Sequence, residues 1–286
     1  VRFRVSSRIE NEVRSPLVLL LNIRAHASEP QRIIKESFTI SPKFESELVV
    51  TEPDKNRFDR VKVTKGSRVR IDYRAEVEVD HRHLGAESLR KVSPAHLDQA
   101  QLPYLLPSRY CQSDLFGRFA WQKFGAIKDA YDQVLAITEW IRENVEYIPG
   151  TTNSFTSASD TVTQCAGVCR DFAHLGIAIC RALNIPARYF TGYAYTLDPP
   201  DFHACFEAFI GGYWILFDAT RLVPANALVR IGSGRDAADV SLCTAFGILR
   251  TLRQEVKCQV HDEKLFHPLS EEELSGTAVS LDVKQI

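Results

Sequence analysis

The 286-residue sequence predicts an α+β protein in two parts: a small β-sandwich-like unit, then a unit mixing helices with antiparallel strands. Three observations lead there. Residues 1–95 carry short runs rich in β-branched side chains, separated by turn-formers. Residues 105–286 instead open on helical periodicity, with Val134, Ile137, Ile141 and Val145 three and four apart. Within that second part, two strand-like runs flank Gly211-Gly212, the pattern of a tight hairpin.

Composition narrows the classes. Hydrophobic residues make up 45% and charged ones 25%, which excludes a disordered chain. Lys and Arg total 35 against 36 Asp and Glu, a net charge of −1 that offers no handle for nucleic acid or an anionic membrane surface. Apolar runs such as Leu17–Leu21 are too short to span a bilayer. Val1-Arg2-Phe3-Arg4 lacks a secretory pattern, so a cytoplasmic location is expected. Seven cysteines, an odd number with four of them between Cys165 and Cys205, point to reduced thiols rather than a disulfide framework.

Taken in order, the β unit comprises Phe3 to Ile9, Leu17 to Ile23, Arg32 to Ile40, Leu48 to Val50, Arg60 to Val63 and Val69 to Val79. No cluster there resembles a site. His81 and His83 lack the further ligands a metal needs and read as part of a solvated charged segment. Pro94, Pro103 and Pro107 mark a boundary between Leu84 and Ser108. A helix over Asp129–Glu146 ends at Pro149-Gly150, and a Ser/Thr-rich loop covers Thr151–Thr163. A second helix runs from Val168 to Leu183, with Asn184 suited to a left-handed cap and Pro186 blocking continuation. A strand (Ala187–Tyr195), a loop through Pro199-Pro200, the hairpin, and one or two further strands complete the chain.

The sharpest local feature is Cys165-Ala166-Gly167-Val168-Cys169-Arg170-Asp171-Phe172, where a loop feeds a helix with Cys169 in its first turn. Free N–H groups and the positive end of the helix dipole favour thiolate over thiol there, and the same N–H groups can hold an oxyanion. A nucleophile needs a base, and the hairpin supplies one. A turn at Gly211-Gly212 sets Asp218 opposite Cys205, with His203 two residues before Cys205 on the same face and diagonal to Asp218. Ala204, Phe206, Ala208, Ile215 and Phe217 form an apolar opposite face, which leaves His203, Asp218, Glu207 and Trp214 together on the other. Cys169, His203 and Asp218 are thus the residue types of nucleophile, base and orienter.

Cys180 reads as an inert core thiol, Cys165 as a loop residue or redox partner, His174 as a hydrogen-bonded helix residue, and Arg170 and Asp171 as makers of local salt links or caps. Zinc on Cys165, Cys169, His174 and Cys180 lacks a second paired knuckle, and Gly232-Ser233-Gly234 lacks the Lys-Ser/Thr of a phosphate loop.

Three ordered segments closely resemble the bacterial transglutaminase-like core. They are Gly167–Leu175, running on through Cys180–Tyr189 to Thr191-Gly192-Tyr193; His203–Phe209; and Trp214–Thr220. The N-terminal β region more loosely resembles the unit that precedes this core, and Gly234–Val240 the stretch that follows it. The resemblance implies a papain-like arrangement, a Cys-bearing helix packed on an antiparallel sheet that carries His and Asp, and a Cys169–His203–Asp218 triad. It further implies an oxyanion hole at the Cys169 N–H, with Gln164 and Trp214 as oxyanion or substrate contacts. Cys205, where the family commonly has Trp, places a smaller thiol near His203 and bears on the groove. The expected activity is thiol acyl transfer at an amide or peptide bond, with protein or peptide as substrate and no cofactor or metal. Absence of a calcium-loop pattern favours hydrolysis. The alternative is a binding module that keeps the fold without turnover, against which the intact residue set argues.

Overall fold

In the computed structural model, which describes residues 1–285, six N-terminal strands supply three strands to each of two four-stranded sheets that pack as a sandwich. They are β1 (Arg2–Val13), β2 (Leu17–Leu21), β3 (Gln31–Ser41), β4 (Glu45–Val50), β5 (Arg57–Val63) and β6 (Ser67–Val79). Period-two alternation does the work: β1 buries Phe3, Val5, Ile9 and Val13, while β6 buries Val69, Ile71, Tyr73, Val77 and Val79. A short strand, β7 (Arg82–Gly85), then leads into the boundary segment. His81 there is not solvated, because its Nε2 lies 2.9 Å from the Leu228 carbonyl and its ring sits edge-on to Phe3.

The second part contains α1 (Gly117–Phe124), α2 (Ala130–Asn144), β8 (Glu146–Tyr147), α3 (Ala158–Gln164), β9 (Ala166–Gly167), α4 (Cys169–Ala182), β10 (Ala187–Ala194), β11 (Phe202–Ile210), β12 (Tyr213–Phe217) and β13 (Leu228–Gly234). β14 (Cys243–Phe246), β15 (Leu249–Val260), α5 (Glu271–Leu274) and β16 (Thr277–Ser280) follow. α2 starts where Asp129 accepts the Tyr131 N–H at 2.9 Å as N-cap. α3 replaces half of the expected Ser/Thr loop, since Asp160 reaches back to the Ser157 N–H at 2.9 Å and caps a helical turn.

A six-stranded sheet, β13-β10-β11-β12-β16-β7, forms the middle layer. Helices cover one face, where Ala204, Phe206, Ala208, Ile215 and Phe217 meet Phe172, Ala173 and Leu175 of α4. Contact is close: a Cβ on Gly176 would fall 2.5 Å from Phe206 Cε1. The other face packs Phe190, Cys205 and Leu216 against the sandwich. β11 is therefore buried along its whole length, on the His203 side as well as on the apolar one. On that covered face Glu207 is compensated by Arg188 at 2.7 Å and by Arg230, which share Asp282 at 2.6 and 2.8 Å.

Sheet membership departs from the expected units of 1–95 and 105–286. β15 pairs with β1 and β14 with β2, so two C-terminal strands complete the sandwich, while β7 joins the middle sheet through β16. β1 would otherwise present an unpaired edge, and β15 covers it.

Candidate active site

The helix carrying Cys169 is fixed from its first residue. Val168 is the N-cap, and Asp171 accepts the Val168 N–H at 2.9 Å. Upstream, Glu146 N–H donates to the Cys165 carbonyl at 2.8 Å and Ile148 N–H to the Gly167 carbonyl at 2.9 Å, which anchors β9 beside β8. Gly167 has to be glycine, because a Cβ would lie 2.7 Å from Asp171 Cβ. Asp171 is fully buried and also takes the Thr152 hydroxyl and an Arg170 N–H at 3.4 Å, so both residues serve local structure.

The hairpin has the expected register, Phe206 opposite Phe217, with Gly211 (φ 64°) and Gly212 (φ 87°) in the turn. Asp218, immediately after β12, faces back toward β11. Its Oδ2 lies 2.8 Å from His203 Nε2, while Oδ1 accepts the Thr220 N–H at 2.9 Å and hydroxyl at 2.7 Å. The Cys169 side chain lies beside the His203 ring, and both line one cleft. Burial opposes the imidazolium, but the charges and hydrogen bonds of Asp218 and Cys169 outweigh it and push His203 up to about 10. Cys169, His203 and Asp218 are brought together.

One neighbour was missing from the sequence reading. The Tyr147 hydroxyl lies near Cys169, and burial, followed by the charge of the Cys169 side chain, pushes it up to about 12. Tyr147 gets there through its pairing with Gly167, a two-residue parallel contact that no local pattern announces.

Other expected residues fall elsewhere. Trp214 is 1% exposed and packed against Tyr104 and Phe209, with the Arg188 guanidinium 4.3 Å from its ring centre, so it lies outside the lining of the Cys169 cleft. Gln164 ends α3 with its side chain in solvent. Cys205 is buried in the layer under the sheet rather than in the groove. His174 is a buried neutral ring whose Nε2 accepts the Ala237 N–H at 3.1 Å, stacked on Tyr110 and tilted against Tyr189. No group of three potential metal ligands occurs among the described residues, and no helix among them is long and apolar enough to cross a membrane.

Cys169 and His203 open onto a cleft of about 640 Å³. Tyr110 and Tyr189 form one side; Ala237, Ala238 and Val240 line another, in a turn that Asp236 ties to the Tyr110 N–H at 2.8 Å. Residues 241–245, including β14 of the sandwich, complete the wall.

Known proteins resemble this chain along most of its length. Residues 119–219 match the transglutaminase-like superfamily and residues 1–100 the bacterial transglutaminase N-terminal domain. A solved structure described as a "Putative Cysteine Protease" from Cytophaga hutchinsonii is 48% identical over 98% of this chain and 97% of its own, with a TM-score of 0.95. An uncharacterized protein of Mycobacterium leprae is 36% identical over 117 residues, 38% of this chain; the match spans 42% of that relative. The chain belongs to the transglutaminase-like superfamily, and its α+β architecture is that of the C. hutchinsonii structure.

Proposed function

We propose that the protein is a thiol-dependent acyl-transfer enzyme that hydrolyses amide or peptide bonds through Cys169, His203 and Asp218. The observation that carries this reading is the His203 imidazole held 2.8 Å from the Asp218 carboxylate, with His203 and Cys169 lining one cleft. Cys169 Sγ attacks the carbonyl carbon, and the carbonyl oxygen becomes the oxyanion. Its cradle is the Cys169 N–H at the start of α4. The His203 imidazolium gives its proton to the leaving amine, and Asp218 keeps the ring oriented through both steps. Water activated by His203 then releases the acyl group. Water is preferred to an amine as acceptor because the similar C. hutchinsonii protein is described as a protease.

The test is turnover of peptide and amide libraries by purified protein, with and without a primary amine. Peptide cleavage that disappears in Cys169→Ala supports hydrolysis. Amine incorporation exceeding cleavage would make the protein a transferase, and no turnover of either kind would leave a binding module.

A further inference from the structure

Part of the cleft lining is a sheet edge. β14 has a single neighbour, β2, and is the terminal strand of its sheet. Asn22 N–H donates to the Leu242 carbonyl at 3.0 Å, which fixes the phase of the antiparallel ladder. Because hydrogen-bonded and non-bonded pairs alternate, Leu242, Thr244 and Phe246 turn their main-chain groups toward β2. Cys243 and Ala245 turn theirs toward the free edge. The Cys243 carbonyl there takes only the Ser241 hydroxyl, at 3.1 Å. Side chains follow the same alternation, with Cys243 and Ala245 half-buried and Thr244 and Phe246 exposed. Residues 241–245 line the same cleft as Cys169 and His203, so the unpaired edge is continuous with the reacting centre.

We infer that this edge binds the substrate: an extended peptide segment adds to β14 as a further strand, held by the main-chain groups of Cys243 and Ala245, and presents its acyl carbon to Cys169. The inference rests on the acyl-transfer reading above and names its substrate class, an unfolded or loop segment of polypeptide rather than a small free amide. Main-chain pairing supplies affinity without regard to sequence. Selection comes from the side chains alternating toward the groove, where Ala204, Ala237, Ala238 and Val240 leave room for small apolar groups. The sandwich thereby acquires a role in catalysis while contributing no reacting group.

The test compares inactivation of the full chain by alanine-based peptidyl chloromethyl ketones of one to four residues with alkylation by iodoacetamide. In the wild type the rate constant rises about tenfold or more with peptide length, and N-methylation at alternate residues cancels the gain. Ala245→Pro removes an N–H that points away from β2, so the ladder survives. That variant should lose the length dependence while iodoacetamide still reacts with Cys169 at the wild-type rate. A rate independent of length, or a gain that persists in Ala245→Pro, overturns the edge inference. If neither reagent reaches Cys169 in preference to the other cysteines, the acyl-transfer reading falls, and this one with it.

Discussion

His203 Nε2 and Asp218 Oδ2 lie 2.8 Å apart with their side chains 1% and 6% exposed, joining the second residue of β11 to the residue that follows β12. So little exposure makes the pair sensitive to pH in a defined direction. The folded imidazolium is held at about 10 against an ordinary 6.5, so its contribution to stability is complete below about pH 6.5 and is lost as pH rises through 10. Asp218→Asn removes that contribution. Urea unfolding should therefore show a wild-type advantage that shrinks between pH 6.5 and 10, and one that grows would contradict the assignment. Activity should fall by several orders of magnitude with the fold intact.

Gly176 sets how closely α4 approaches the sheet. Gly176→Ala places a Cβ against Phe206, and the shift needed should cost about 1–3 kcal/mol by chemical denaturation. A cost under about 0.5 kcal/mol would mean that the helix–sheet contact is looser than described.

Asp171 ties Val168, Thr152 and Arg170 together below the Cys169 loop. Asp171→Ala leaves those groups unpaired and should destabilise the protein by about 2–4 kcal/mol. Asp171→Asn, which can still accept a hydrogen bond, should recover part of the loss. Equal effects would assign Asp171 a role other than hydrogen bonding.

Much of this was legible in the sequence, for physical reasons. Period-two alternation marked β1 and β6, and Gly211-Gly212 set the register that pairs His203 with Asp218. What escaped depends on long-range packing. The pairing of β14 and β15 with β2 and β1 crosses most of the chain and leaves no local signature. Trp214 shares a face with His203 along the hairpin, yet the layer covering that face turns Trp214 into core and Glu207 into an ion-pair anchor. Tyr147 was invisible because only a two-residue parallel pairing brings it to Cys169.

Tyr147→Phe keeps the ring beside Phe172 and removes only the hydroxyl near Cys169. If that hydroxyl steadies the oxyanion, kcat should fall about 10- to 1,000-fold with KM nearly unchanged. A change confined to KM would assign Tyr147 to substrate binding alone.

The most direct measurement of the central claim is competitive alkylation of the seven cysteines. Burial pushes Cys243 up to about 11 and Cys111 up to about 12, and holds Cys180, Cys205 and Cys258 higher still, so all five persist as thiols. Cys169 opens to the cleft with a charged imidazole beside it. Limiting iodoacetamide at about pH 6, read by peptide mapping, should modify Cys169 first, and His203→Ala should slow that reaction. Exposed Cys165 is the competitor. Modification of Cys165 first, together with full activity in Cys169→Ser, would contradict the account.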